Sequence, residues 1–212
     1  VVVFAVGGIN RETIAQWAHQ NAEDTAQTSG NVAEMENLIL EINSVDDYLV
    51  FVQSVNTGNT YKGQYVNLNV DLDFAGVTED LVIGNAENTQ YCFQGIFDGN
   101  GHHLSNVVIT SDTDAGLFRN LEGTVANLQV ESGNFTAPLA GAIASNTRLG
   151  SYILNCGSLA TVNGQAAPEQ EGQTLLTGES RGEIRNSFAP GQEETAENLN
   201  QEVLGLDLTW GV

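Results

Sequence analysis

The sequence predicts an all-β protein built as a parallel β-helix, because one short pattern occurs four times along the chain. Each copy holds a glycine, then an apolar residue two places before an asparagine. The asparagines are separated by 21, 28 and 31 residues, and repeats of about 20–50 residues are typical of solenoids and propellers. The repeating unit contains short β-branched strands and almost no helical periodicity, which favours coils of parallel strands. We expect the asparagines to stack as one structural ladder: Asn106, Asn127, Asn155 and Asn186.

Backbone chemistry explains why asparagine would recur at such positions. Stacked amides hydrogen-bond to one another and to neighbouring backbone, as Asn and Gln ladders do in cross-β structures. Asparagine also tolerates the left-handed conformation that the corners of a coil require. The ladder therefore predicts an architecture rather than a binding site.

The first six residues are unusually apolar, and they allow two interpretations. They could pair within their own domain as a first strand or an end cap. They could instead cross to a neighbouring subunit and complete its sheet, as in donor-strand complementation. Residues 7–8 would then be a hinge and residues 9–36 a tether, and a head-to-tail contact that does not close would make a filament. The possible intersubunit strand consists of Val1, Val2, Val3, Phe4, Ala5 and Val6.

The segments that follow predict further elements in order. Residues 10–27 have the spacing of an amphipathic helix, which could cover one end of a solenoid. Residues 37–42 are a strand candidate. Ser44 starts a predicted short helix in which Asp47 forms a near capping box, and residues 56–58 mark its end.

The rest of the chain divides into strands, an excursion and a cap. Residues 65–74 alternate apolar and polar side chains, which predicts one ten-residue strand. The repeats begin at Gly95, and residues 164–172 form a polar excursion from the stack. We therefore expect three parts: an apolar strand and tether or cap (1–36), the β-helix (37–190) and a C-terminal cap (191–212).

Two of the repeats and their lead-in resemble a known family. Residues 116–130 and 141–156 are similar to the GLUG-type repeat of bacterial and archaeal surface proteins, and residues 93–106 resemble the segment that precedes such repeats. The resemblance implies a right-handed parallel β-helix in a secreted or surface-attached protein. It also implies a stalk or adhesive module without catalytic residues, whose partners would be cell-surface glycans or proteins.

Composition excludes several classes of partner. The chain of 212 residues has 27 acidic residues against 6 Lys plus Arg, a formal charge of −21. Such a surface repels the phosphates of nucleic acids and the anionic surfaces of membranes. No segment approaches the roughly 20 apolar residues that a membrane span requires. We expect the two cysteines, Cys92 and Cys156, to be buried and free, because about three repeats separate them.

Three polar motifs suggest chemistry, but each has a structural explanation. His102 and His103 are adjacent, and neighbouring residues of a strand point to opposite faces, so they do not predict a shared metal. Residues 98–101 resemble half of a calcium loop but lack its spaced oxygen ligands, which favours a turn. Asp71 and Asp73 could be a glycosidase pair, although the alternation of a solvated strand explains them equally well. We predict no cofactor; calcium on the acidic surface is the one alternative left open.

The sequence thus favours a non-enzymatic, extracellular structural or adhesive β-helix, with self-assembly into a filament as one use. The alternative is a carbohydrate-binding or carbohydrate-active β-helix, such as a lyase or hydrolase. Six Lys and Arg side chains are few for gripping a polyanionic sugar. A third hypothesis, an ice-binding or surface-binding solenoid, requires threonine ladders, and the threonines do not line up across the repeats in the sequence.

Overall fold

The computed structural model describes residues 39–164 and 176–189, which contain seventeen strands and one helix. Every pair of strands among them is parallel, and they stack as a β-solenoid of about five turns. The predicted all-β parallel β-helix is therefore confirmed. The predicted strand at residues 1–6, the helix at 10–27 and the cap at 191–212 lie outside the described residues.

The strands are short, as the coils of a solenoid require. The elements are β1 (Ile39–Ile42), α1 (Val45–Asn56), β2 (Tyr65–Leu68), β3 (Leu72–Asp73), β4 (Ile96–Asp98), β5 (His103–Ser105), β6 (Val107–Thr110), β7 (Asp114–Ala115), β8 (Thr124–Ala126), β9 (Gln129–Val130), β10 (Gly133–Ala137), β11 (Leu139–Ala140), β12 (Ala144–Thr147), β13 (Tyr152–Leu154), β14 (Gly157–Ser158), β15 (Thr161–Gly164), β16 (Thr177–Ser180) and β17 (Glu183–Arg185).

Successive turns contribute one strand each to sheets that run along the stack. The first and largest sheet has six strands in the order β1-β2-β4-β8-β13-β17. A second has the order β14-β9-β5-β3 and a third the order β15-β10-β6. The pairs β7-β11 and β12-β16 complete the coil. Because each strand lies on its counterpart in the next turn, equivalent side chains form columns parallel to the axis.

The helix α1 begins where the sequence predicts. The hydroxyl of Ser44 accepts a hydrogen bond from the backbone N–H of Asp47 at 3.1 Å. The Asp47 carboxylate in turn accepts one from the backbone N–H of Asn43 at 3.0 Å, so both donors are satisfied as in a capping box. The helix buries Tyr48 and Phe51 against the first turns, and the Tyr48 hydroxyl donates to the carbonyl of Leu81 at 3.0 Å.

The predicted ten-residue strand at 65–74 is instead two strands that meet at a corner. The chain leaves the first sheet after Leu68 and enters the second sheet at Leu72. Val66, Leu68 and Leu72 are all buried, because both sheets direct alternate side chains into the same core. An alternating pattern therefore continues around a corner, and the pattern by itself does not reveal the bend.

The turns approach each other so closely that some positions accept no side chain. A Cβ atom on Gly123 would collide with the carbonyl oxygen of Gly95 in the turn before it. Cys92 and Cys156 are buried and free, as predicted. No helix in the described part of the chain is long and apolar enough to cross a membrane.

Candidate functional site

A column of amides runs along one corner of the solenoid, just after the strands of the first sheet. The side-chain amide of Asn155 donates to the Oδ1 atom of Asn127 at 2.7 Å. Asn186 donates in the same way to the Oδ1 atom of Asn155 at 3.4 Å. These three asparagines form the ladder that the repeat spacing predicts.

Each of the three asparagines also holds a left-handed backbone. Their φ angles are 52° at Asn127, 55° at Asn155 and 47° at Asn186. This conformation costs most residues about 1–2 kcal/mol, and asparagine tolerates it better than other side chains with a Cβ. Asparagine is thus favoured at these positions for two reasons: it tolerates the left-handed backbone, and its side chain forms the amide column.

A carboxylate accepts the last hydrogen bond of the amide column. Asp98 is 3% exposed, and its Oδ1 atom accepts hydrogen bonds from the amide of Asn127 and the backbone N–H of Asn100, both at 2.9 Å. Asn100 has a φ of 50° and belongs to the turn that residues 98–101 form, as predicted. Asp98 lies one position before the asparagines in register, because its partner in the next turn is Ala126, and it contacts the ladder through its side chain.

The assignment of Asn106 to this column is wrong. Asn106 lies at the next corner, between the second and third sheets, where its amide donates to Asp73 at 2.8 Å. Its backbone N–H donates to the hydroxyl of Ser132 at 2.9 Å. Strand pairing explains the error, because Phe97 rather than Leu104 is the register partner of Val125. Asn106 keeps a positive φ of 56°, so both corners use asparagine for the same backbone reason.

A cluster of histidines and carboxylates spans three turns beside the second sheet. The Nδ1 atoms of His102 and His103 lie 2.9 and 3.3 Å from the Oδ1 atom of Asp71 in the turn before. The Nε2 atom of His103 lies 3.4 Å from Glu131 in the turn after. Both rings reach the same carboxylate because His102 precedes β5 and lies in the corner, whereas neighbouring residues within a strand would point to opposite faces. All four side chains are at least one-third exposed.

Hydrogen bonds depress the pKa of both aspartates on β3 and its preceding turn. Partial burial acts to raise the pKa of Asp71, but the hydrogen bonds from the His102 ring and the His103 backbone lower it on balance. The amide of Asn106 and the backbone N–H of Ala75 lower the pKa of Asp73. Both groups are carboxylates bound by donors, unlike the raised-pKa acid that glycoside hydrolysis requires.

The described arginines are also paired with acids of their own chain. Arg119, which is 12% exposed, binds Asp114 at 2.9 Å, and the hydroxyl of Ser145 donates to the same carboxylate. Arg148 pairs with Glu122, and the remaining oxygen of Glu122 accepts from Gln94 at 2.8 Å. The Arg148–Glu122 pair connects neighbouring turns of the stack, whereas Arg119 and Asp114 belong to the same turn. In the described residues, no group of three or more His, Cys, Asp or Glu side chains could hold a metal ion.

The outer face of the third sheet is uncharged and periodic. Thr110 and Thr136 are register partners, and the next position in that column is Asn163. The amide of Asn163 donates to Asn134 at 2.9 Å and to Thr136 at 3.3 Å. The expectation that threonines do not line up is therefore wrong for two turns, because these strands were not aligned in the sequence.

The separation of the repeated asparagines, which gives the length of a coil, could have predicted the histidine cluster. Asp71 precedes His102 by 31 residues, and the asparagines at 155 and 186 are separated by the same number. His103 precedes Glu131 by 28 residues, as Asn127 precedes Asn155. Any polar residues one coil apart are therefore candidates for contact.

Comparison with protein-family models, curated proteins and solved structures found no match. The resemblance to GLUG-type repeats accordingly stays a prediction.

Proposed function

We propose that this chain is a non-enzymatic structural or adhesive β-helix module that acts outside the cell. The observation that carries the proposal is the pair of continuous columns: a buried core that runs from Ile42 to Ala189, and an amide ladder from Asp98 to Asn186. A stack joined by backbone pairing, side-chain hydrogen bonds and a common core is suited to a stiff rod or stalk. The lead-in resemblance supports the extracellular location.

The placement of aromatic and charged side chains favours this function over sugar binding. Tyr48, Phe51, Phe93, Phe97 and Phe118 pack against one another inside the core instead of forming a sugar platform. The described arginines are paired with acids of their own chain, whereas a lyase would direct cations toward its polyanionic substrate. The charge of −21 keeps such a surface soluble.

Self-assembly through the N-terminal strand belongs to the same proposal. Residues 1–6 lie outside the described part of the chain, and their apolar sequence is the support for strand donation. Deleting residues 1–8 is expected to abolish any assembly that depends on this strand. Truncated protein that still forms polymers would contradict strand donation while leaving the rod-like module intact.

Electron microscopy and limited proteolysis test the proposed function together. Material purified from the surface and medium of the source cells should show rods or threads, and proteolysis should leave a resistant fragment containing residues 39–164. A parallel assay for unsaturated products from uronate polysaccharides tests the enzyme alternative. Turnover in that assay, or protein confined to the cell interior, would contradict the proposal.

A further inference from the structure

The six-stranded sheet ends in two strands, β1 and β17, whose outer edges have no partner among residues 39–164 and 176–189. Glu183 donates its backbone N–H to Ser151 at 3.0 Å, and Arg185 accepts from Asn155 at 3.1 Å. Alternate residues of a strand bond to the same neighbour, so the N–H and C=O of Ile184 point away from the stack.

The opposite edge has the complementary arrangement. The carbonyl of Ile42 accepts from Asn69, on the β2 side, at 3.0 Å. By the same alternation, the backbone groups of Ile39 and Glu41 point away from β2. If the column were continued, Ile39 and Glu41 would take the places that Glu183 and Arg185 occupy against β13.

The side chains at the two ends are complementary in the same register. One column of side chains in the six-stranded sheet points into the core and runs from Leu40 in β1 to Ile184 in β17. The four side chains between them are completely buried, whereas Leu40 and Ile184 are partly buried. The adjacent column begins with an acid, Glu41, and ends with a base, Arg185. The paired positions are Leu40-Val66-Phe97-Val125-Ile153-Ile184 and Glu41-Asn67-Asp98-Ala126-Leu154-Arg185.

We propose that β17 of one molecule pairs with β1 of a second copy, head to tail and in parallel. This contact, called the joint below, rests on the proposed structural function and specifies how two molecules would be connected. Ile184 then lies beside Leu40, and Arg185 lies beside Glu41, so the apolar column and the backbone ladder continue from one molecule into the next. Since the two surfaces differ, the contact does not close on itself and propagates a filament.

The charges also select the register. A slip of two residues would place Glu183 beside Glu41, and like charges directly opposite each other are unfavourable in a sheet. A slip of one residue would turn Ile184 out of the core column. An edge strand of this kind is a template for another strand, and the partner that satisfies both columns at once is this chain itself.

Charge reversal at the joint gives a specific test on the full-length protein. Arg185→Glu places a second acid beside Glu41, and Glu41→Arg places a second base beside Arg185. Each variant alone should associate about tenfold more weakly than the unmodified protein at about 0.15 M salt. An equimolar mixture should recover association, because each reversed charge then meets an opposite one and the two variants alternate along the filament.

Sedimentation velocity over a range of concentrations measures association, and far-UV circular dichroism checks that each variant is folded. Arg181→Glu is the matched control, since it makes the same charge change in the turn between β16 and β17, outside the two strands that pair, and should leave association unchanged. Ile184→Lys should weaken association in every mixture, because no partner restores the apolar column.

Three results would overturn the joint: unmodified protein that stays monomeric, reversed variants that associate like the control, or a mixture that fails to recover. Rods or threads in native material together with insensitivity to these substitutions would reject the joint alone. Native material without rods, threads or a resistant fragment would reject the structural function itself. Persistence of association after residues 1–8 are removed would separate this joint from strand donation.

Discussion

The two halves of the solenoid are held together by different means. The first turns pack large rings, whereas the later turns contribute many small buried side chains, with Phe135 as their one completely buried phenylalanine among the described residues. The amide ladder begins at Asp98, which directly follows Phe97 of the ring cluster. The ring cluster consists of Tyr48, Phe51, Tyr61, Phe74, Phe93, Phe97 and Phe118, and the small side chains include Ala137, Ala140, Ala142, Ala144, Cys156 and Ala160.

This difference indicates how stability is distributed along the stack. Buried aromatic pairs contribute large area and favourable ring geometry, so the first turns have a core that can support itself. The later turns bury mostly smaller side chains, so we expect them to depend more on hydrogen bonds to the turn before. Each turn contacts its immediate neighbours, and the stability of one half is therefore partly separable from that of the other.

Removing a ring from the first half should have the largest effect. Phe97 is completely buried and packs against Phe51 and Phe118 at ring-centre distances of 5.9 and 5.6 Å. Phe97→Ala should lower the free energy of unfolding by about 3–5 kcal/mol, measured by urea denaturation with circular dichroism. Val108→Ala, at an exposed position on the third sheet, is the control and should change it by less than about 0.5 kcal/mol. A loss below about 1 kcal/mol at Phe97 would contradict an aromatic-dependent first half.

Breaking the amide ladder should have the next largest effect, in the second half. Asn155 connects Asn127 and Asn186, so Asn155→Ala removes both hydrogen bonds and places alanine at a positive φ. We expect a loss of about 2–4 kcal/mol. Asn155→Gly keeps the backbone conformation and should cost about 1–2 kcal/mol less, which separates the two roles.

Asn106 provides the matched comparison for the ladder. It has nearly the same φ as Asn155, but its amide donates to the exposed Asp73 at another corner. Asn106→Gly should therefore cost less than about 1 kcal/mol in the same denaturation experiment. Equal losses for the glycine variants at 106 and 155 would show that the ladder adds nothing beyond ordinary polar contacts.

The fold followed from the sequence because stacking imposes its period on the residue types. The spacing of Asn127, Asn155 and Asn186 reports the length of a coil directly, and the N-cap at Ser44 is a local signal. Asn106 was misplaced because the same local pattern, an apolar residue two places before an asparagine with a positive φ, occurs at two different corners: after β5 for Asn106, and after β8 for Asn127. The pattern does not reveal which sheet the preceding strand joins.

The polar clusters were harder to predict than the strands for a related reason. Three turns that stack in register bring together His102, His103, Asp71 and Glu131. A sequence motif within one turn contains at most two of these four residues. The charge complementarity of Glu41 and Arg185 is likewise invisible until the columns are aligned. Contacts along the axis become predictable once the coil length is known, and contacts around a corner do not.

Acidification should have a smaller effect, centred on the first half. The depressed pKa of Asp71 means that its contribution to stability is present above the ordinary value of 3.8 and is lost as the pH falls through the lowered folded-state value. Asp71→Asn should therefore flatten the decline of unfolding free energy between about pH 5 and pH 2. Asp112→Asn, at an exposed position, is the control. An unchanged slope in the Asp71 variant would show that the histidine contacts do not stabilise the carboxylate.

The two cysteines can test the comparison without altering the core packing greatly. Cys92 lies in the first half and Cys156 in the second, and each is 1% exposed. Burial raises the pKa of both thiols, to about 12 for Cys156, so the folded protein should react with thiol reagents only when the surrounding turns open. In single-cysteine proteins carrying Cys92→Ala or Cys156→Ala, we expect Cys156 to be labelled faster, because the later turns can open while the ring cluster remains packed. Equal labelling rates at matched stability would mean that the whole solenoid opens as one unit, and the two halves would then differ in composition without differing in cooperativity.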